Sequence, residues 1–369
     1  MQELAAGARV AVLTSGGDAP GMNAAVRAVV QVGALLGIET LGVRRGYQGL
    51  IDGDFTPLEP RHVDGIHRRG GTLLGTTRCL PFLDPAVRAR AAQQLRDQHV
   101  QGLIVIGGNG SLAGARAFGS ERDHTGNPFR IMGIPASIDN DLGYTTLAIG
   151  TDTALNTIVE AIDRISDTAS SHGRTFIVEV MGRDCGYLAL TAAVATESDG
   201  VLLRESQVTP GEAINKVVDI VRHAYAPDRG KHRVIIVKSE GVEIGSSALK
   251  SDLDSALSAA GLPVETRVSV LGHMVRGGAP SAFDRLLAGR LGHAAMRAVI
   301  RGRTGEMTGW HVLLRPGDPP PVVFDLDPFI TFWPLDQVLA ETERIKDGTS
   351  AVTQWRVRIL REVEPILAR

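Results

Sequence analysis

Short runs of β-branched and aliphatic residues recur along the chain. Each is followed by a glycine-rich turn and then by a stretch whose apolar positions fall at helical spacing. Arg9–Thr14 is the first run, residues 15–21 (Ser-Gly-Gly-Asp-Ala-Pro-Gly) are its turn, and Asn23–Leu36 is an Ala/Val-rich helix. Gly102–Gly107 repeats the pattern with Gly108–Ser111 as the turn, and Ile131–Pro135 opens a third unit. Thr175–Val180 and Arg233–Lys238 read as further strands. Strands apolar on both faces belong to parallel sheets covered by helices. The pattern therefore predicts a layered α/β fold. Leu155, Ile158, Val159, Ile162 and Ile165 predict a helix from about Asp152 to Asp167. Gly241–Gly261 reads as a polar, glycine-rich interval, Pro316–Pro321 as the clearest linker, and the chain from about Val352 as helical.

Glycine numbers 43 of 369 residues and aromatics make up 4%, so the core is aliphatic and many backbone positions call for glycine. The length suggests two domains. A net charge of -2 gives no broad electrostatic case for nucleic acid or a membrane surface. No stretch approaches 18 apolar residues, and Met1–Gly7 lacks the charged and apolar regions of a secretory leader. Cys79 and Cys185 are too few for a disulfide framework or a zinc site. The expectation is a cytoplasmic protein in a reducing compartment.

In open α/β sheets, ligands bind at the carboxyl ends of the strands, where the three turns fall. Adjacent glycines before a helix, as at Gly16–Gly17, bring backbone N–H groups and a positive helix end to an anion such as a phosphate. This turn matches neither the Walker A nor the G-x-G-x-x-G spacing. Residues 107–111 (Gly-Gly-Asn-Gly-Ser) form a second such loop. Residues 135–141 (Pro-Ala-Ser-Ile-Asp-Asn-Asp) place Asp139 and Asp141 two apart after a strand. Phosphoryl transfer needs a base for the acceptor hydroxyl and a carboxylate for Mg²⁺, and these two could divide the tasks. The same segment also reads as an Asx-rich turn. Arg78, Arg174, Arg183, Arg267, and His273 with Arg276, sit in loop-like segments suited to phosphate.

Residues 13–25 (LTSGGDAPGMNAA) closely resemble the opening of the 6-phosphofructokinases. So do residues 69–75 (RGGTLLG), 135–141, 178–186 (VEVMGRDCG) and 271–278 (LGHMVRGG), in the family's order from about residue 9 to 310. The resemblance to the ATP-dependent bacterial branch implies two Rossmann-like, three-layer αβα domains with the active site in the cleft between them. Residues 1–150 with about 275–320 would bind nucleotide, and about 151–274 with 321–369 the sugar phosphate. It implies phosphorylation of fructose 6-phosphate by ATP, with Mg²⁺. Asp139 would be the general base, with Ser137, Asp141 and Arg183 as catalytic partners. Gly17, Tyr47, Arg78, Cys79, Gly108, Asn109, Gly110 and Ser111 would bind ATP. Ser137, Asp139, Met181, Gly182, Arg183, Glu240, His273 and Arg276 would bind the sugar phosphate. Arg174 and Arg267 would come from a neighbouring subunit of a homo-oligomer, commonly a tetramer.

Some positions depart from the family pattern. Asn109 stands where the family has an Asp that helps hold Mg²⁺, leaving Asp141 as the charged metal position. Cys79 and Leu83 replace Phe and Arg at the adenine and phosphate contacts. The bacterial effector pocket is half matched: Arg27, Arg229 and Lys231 are present, while Gln31 and Ser166 replace basic residues. The pyrophosphate-using branch carries Asp at the position of Gly110 and Lys at that of Ala136, so both residues indicate ATP. The alternatives are a pyrophosphate-dependent enzyme and a non-catalytic sugar-phosphate or nucleotide sensor. A dinucleotide oxidoreductase would need the missing G-x-G-x-x-G.

Overall fold

A computed structural model describes residues 2–226, 229, 231–310 and 322–367. The linker read at Pro316–Pro321 lies outside the described residues. The chain divides into two compact units. The first holds residues 1–138, 142–153 and 276–343, and the second holds 139–141, 154–275 and 344–369. Residues 322–343 thus belong with the first unit rather than the second.

The first unit begins with β1 (Arg9–Ser15), α1 (Met22–Leu35), β2 (Glu39–Val43), α2 (Gly46–Asp52) and β3 (Phe55–Leu58). It continues through α3 (Pro85–Asp97), β4 (Val100–Gly107), α4 (Asn109–Phe118) and β5 (Arg130–Pro135). Helix α5 (Thr151–His172) starts in this unit, and from Ala154 on it belongs to the second. The second unit contains β6 (Thr175–Val180), α6 (Tyr187–Ala195), β7 (Gly200–Leu202), α7 (Pro210–Ala224), β8 (Val234–Ser239), α8 (Ser246–Ala259) and β9 (Thr266–Val270). The chain then returns to the first unit with α9 (Ala282–Ile300), β10 (Glu306–Trp310), β11 (Val322–Phe324), β12 (Asp327–Pro334) and most of α10 (Leu335–Lys346). Helix α11 (Ala351–Leu367) ends the second unit.

The first sheet has the order β11-β12-β10-β5-β4-β1-β2-β3. Its middle is parallel, as the apolar strands require, while β3 pairs antiparallel with β2 at one edge and β12 antiparallel with both β10 and β11 at the other. This pairing of β12 with β10 is what draws residues beyond 321 into the first unit. The order turns in opposite directions from β1 and β4, so their carboxyl ends form the switch point where ligands bind such sheets. The second sheet, β7-β8-β6-β9, is wholly parallel. Leu13, Leu103, Val105, Ile131, Phe118 and Phe129 fill the first core, and Ile177, Ile236, Val217 and Val221 the second.

The interval 241–261, polar in sequence, contains α8. Only Leu249, Leu253 and Leu257 mark its buried face amid serines and aspartates. Local chemistry fixes other helix starts: Asp84 accepts from Ala86 N at α3, and Thr209 and Glu212 form a reciprocal capping box at α7.

Candidate active site

In the first unit, the ends of β1 and β4 touch. Ser15 pairs with Gly107, and a Cβ on Gly107 would lie 2.4 Å from Ser15 O and 2.5 Å from Ser111 Oγ. Glycine at 107 is what allows the two loops to share one rim. Gly16 and Gly17 are exposed there, beside the exposed Gly110. A network holds this rim in place. Thr76 Oγ1 donates to Gly16 O at 2.8 Å, and Thr14 Oγ1 donates to Gly75 O at 2.9 Å and meets Thr72 Oγ1 at 2.7 Å. Asn23 ties residues 69–73 to α1, donating to Arg69 O and accepting from Leu73 N at 2.6 Å.

Tyr47 lies beneath the rim rather than on it. It is 4% exposed, its hydroxyl donates to Ser111 O at 2.6 Å, and its ring stacks on Phe82. Burial pushes its phenol well above the ordinary range, so it stays neutral and acts as a brace. Cys79 is half-buried with its thiol toward Gln48, and burial raises its pKa. Arg78 is exposed. Arg276 falls in the first unit, apart from His273, and its guanidinium packs against Gly17 and donates to Asp18 O at 3.4 Å. Asn109 begins α4 and donates its amide to Glu343 Oε1 at 3.2 Å, while its Oδ1 is buried without a hydrogen-bond partner. Ser137 is fixed by its backbone: its N donates to Ile149 O and its carbonyl accepts from Thr151 Oγ1.

Residues 139–141 form a turn assigned to the second unit, with Asn140 in the left-handed region at φ 49°. An Asn tolerates that conformation better than most residues. Its carbonyl accepts from Cys185 Sγ at 3.8 Å and from Arg356 Nη2 at 3.2 Å. The turn therefore lies against the loop after β6. There Met181 is buried and Arg183 exposed, and Gly182 has φ 124° with a would-be Cβ 2.3 Å from Cys185 O. Ser239 Oγ donates to Gly182 O at 2.6 Å and Glu240 N to Val180 O at 2.9 Å, so Glu240 stands beside this loop. His273 is exposed in the turn after β9. Burial pushes the Cys185 thiol up to about 12, so it acts as a neutral donor.

Arg174 and Arg267 are not part of this group. Arg174 precedes β6, and Arg267 pairs with Phe176 at the same amino end of the sheet. The length of β6, at about 3.3 Å per residue, separates them from Met181 and Arg183. Both arginines are bound to one carboxylate, Glu265.

The family model for phosphofructokinase matches residues 9–299, about four fifths of the chain. The chain belongs to the phosphofructokinase family. An ATP-dependent 6-phosphofructokinase of Thermotoga neapolitana is 46% identical over 299 residues, covering 81% of this chain and 88% of that one. ATP-dependent 6-phosphofructokinase 1 of Thermus thermophilus is 46% identical over 301 residues, 82% and 89% of the two chains. The solved phosphofructokinase of Saccharomyces cerevisiae superposes with a TM-score of 0.83 at 33% identity over 97% of this chain, which spans 49% of the yeast chain. A pyrophosphate-dependent phosphofructokinase from Marinobacter aquaeolei shares the fold at 22% identity, with a TM-score of 0.73 and coverage of 90% and 83%.

Within the family frame, three side chains were missed by sequence reading. Glu265 pairs the two arginines, Glu343 faces Asn109, and Arg356 faces Asn140. Glu343 and Arg356 lie beyond the matched segment, so no motif points to them. Arg27 and Gln31 line a cavity of about 280 Å³ with His67, Arg285 and His293. Lys231 is paired with Asp199 in the second unit. Among the described residues, no cluster of three acidic, His or Cys side chains could hold a metal, and no helix could cross a membrane.

Proposed function

We propose that this phosphofructokinase transfers the γ-phosphoryl group of ATP to the 1-hydroxyl of fructose 6-phosphate, giving fructose 1,6-bisphosphate and ADP in glycolysis. The observation that carries this reading is the turn 139–141. It presents two carboxylates at the carboxyl end of β6, on a backbone anchored at Asn140. Asp139 takes the proton of the 1-hydroxyl as its oxygen bonds to the γ-phosphorus and the bond to the β-phosphate bridging oxygen breaks. Arg183 offsets charge on the transferring group. Ser137, Met181, Gly182 and Glu240 hold the sugar, and His273 and Arg276 its 6-phosphate. The rim of Gly17, Gly108, Gly110 and Ser111 takes the nucleotide phosphates, with Arg276 beside Gly17. Catalysis of this kind is mainly positioning and charge compensation.

In the first unit, the orphaned Oδ1 of Asn109 suits a water of a Mg²⁺ held largely by the donor phosphates, and the family resemblance assigns the charged metal position to Asp141. When bound, Mg²⁺ supplies charge neutralisation of the donor phosphates. Two features support ATP over pyrophosphate. A Cβ at Gly110 would meet nothing within 4 Å, so packing does not demand glycine there. Ala136 is 1% exposed and offers no cation for pyrophosphate.

The strand-length separation of Arg174 and Arg267 from Met181 and Arg183 supports a site completed by a neighbouring subunit. A homo-oligomer, as in a tetramer, and a cytoplasmic location go with this reading. A coupled assay of ADP release with fructose 6-phosphate tests the function; turnover with pyrophosphate and none with ATP would refute the donor.

A further inference from the structure

We propose that Arg356, from the C-terminal helix α11, is a positioning residue that sets the catalytic turn through the carbonyl of Asn140. The proposal rests on the reading of Asp139 as the base. Arg356 is 4% exposed, which is unusual for arginine outside a built contact. Its Nη2 donates to Asn140 O at 3.2 Å and its Nη1 to Cys185 Sγ at 2.7 Å. Nη1 also lies 4.0 Å from Glu205 Oε1, whose side chain is 2% exposed, and that oxygen accepts from Gly186 N at 2.7 Å. The guanidinium carbon sits 5.2 Å from the Tyr187 ring.

Each of these partners bears on the site. Asn140 is the residue between Asp139 and Asp141, and it holds a left-handed backbone conformation. Cys185 and Gly186 close the loop that carries Met181, Gly182 and Arg183. One planar cation thus binds the turn that bears both carboxylates to the loop that bears the arginine of phosphoryl transfer. Lysine would preserve the charge but could not reproduce the fork of donors. A purely structural arginine would need only Glu205. The second nitrogen on Asn140 O is what makes the contact specific to the turn.

Misplacing a reacting group by about 1 Å costs on the order of a hundredfold in rate. Arg356→Met should therefore lower kcat on the order of 10- to 100-fold per folded active site, with KM for ATP and fructose 6-phosphate within about threefold. Arg356→Lys should recover part of the loss. Arg358→Met, on the exposed face of the same helix, should leave kcat unchanged. Removing Arg356 alone leaves Glu205 buried and uncompensated. The double variant Arg356→Met with Glu205→Gln removes that charge and should show the same loss of kcat in a stably folded protein. In an Asp139→Asn background, Arg356→Met should add little, since the group it positions is gone. Normal kcat in the double variant overturns the proposal, as does an equal further loss in the Asp139→Asn background. Normal turnover of Asp139→Asn itself would instead overturn the reading of the base, and with it this proposal.

Discussion

The amide of Asn109 donates to the carboxylate of Glu343 across 3.2 Å, so α4 starts beside an acidic side chain of α10. An aspartate at 109 would bring two carboxylates to that distance. Asn109→Asp alone should therefore tighten Mg²⁺ dependence less than the pair Asn109→Asp with Glu343→Gln. Glu343 is exposed, so solvent screens the repulsion, and the gap should be about two- to fivefold in half-saturating Mg²⁺. Mg²⁺ titrations of the rate and of fluorescent-nucleotide binding check this. Superimposed curves for wild type and both variants would remove position 109 from any role near the metal.

Asp139→Asn keeps the shape of the turn and loses the base. Its kcat should fall roughly 10²- to 10⁴-fold, the usual contribution of a positioned base. Sugar-phosphate KM should stay within a few-fold, because the phosphate contacts are untouched. Steady-state ADP release measures both, and near-normal kcat would be incompatible with the assigned role.

Gly110→Asp should fold, because the position has ordinary backbone geometry and open space around it. Its carboxylate would face the donor phosphates on the rim. Like charges at short range in a partly screened site cost about 2 kcal/mol or more, so KM for ATP should rise roughly 30-fold or more. An unchanged KM for ATP would mean that the phosphates pass elsewhere.

Acid stability offers a separate test in the first unit. Asp327 accepts two hydrogen bonds from Arg290, at 2.5 and 2.6 Å, and that pairing holds its carboxyl below the ordinary range. A lowered folded value means the stabilisation is present above the unfolded carboxylate range. It is lost as pH falls through the folded value, in the region below about pH 4. Asp327→Asn should lower Tm at neutral pH by about 2–4 °C. It should also flatten the fall of Tm between about pH 4 and the acid limit. Parallel acid slopes for wild type and variant would show that the pair adds no pH-linked stability.

The strands of the sheet interiors were legible because burial on both faces forces an unbroken apolar run, as at Val10–Leu13 and Ile235–Val237. The edge strands β11 and β12 were not. Strand β12 is a largely apolar run, Phe329–Trp333, set between Pro328 and Pro334 with no glycine turn after it, and an antiparallel edge carries no crossover helix to announce it. Helix α8 was hidden for a related reason, since three leucines suffice for its narrow buried face. The site loops were legible because glycine is required where backbones meet, as at Gly107 against Ser15 O. The supports were not. Arg356 and Glu343 come from the end of the chain, and nothing local in the sequence tells a surface arginine from one that reaches a turn far earlier in the chain. Tyr47 shows the opposite case: the resemblance names it as a nucleotide contact, while in the structure it is buried with its hydroxyl on Ser111 O.

Arg174 and Arg267 stand at the amino end of the second sheet, held together by Glu265, while Arg183 and Met181 stand at its carboxyl end. Within one chain the length of β6, at about 3.3 Å per residue, keeps the two groups apart. If the arginines serve a neighbouring subunit, an Arg267→Ala subunit retains its own base, and an Asp139→Asn subunit retains its own arginines. Each pure variant should be nearly inactive at limiting fructose 6-phosphate. Mixed oligomers should recover activity, because some sites then combine an intact Asp139 with an intact Arg267 from the adjacent chain. With random assembly at equal ratio, about one site in four is whole, so recovery should approach about a quarter of wild-type activity. Mixed species verified by native mass spectrometry but no more active than the parents would show that each chain completes its own site.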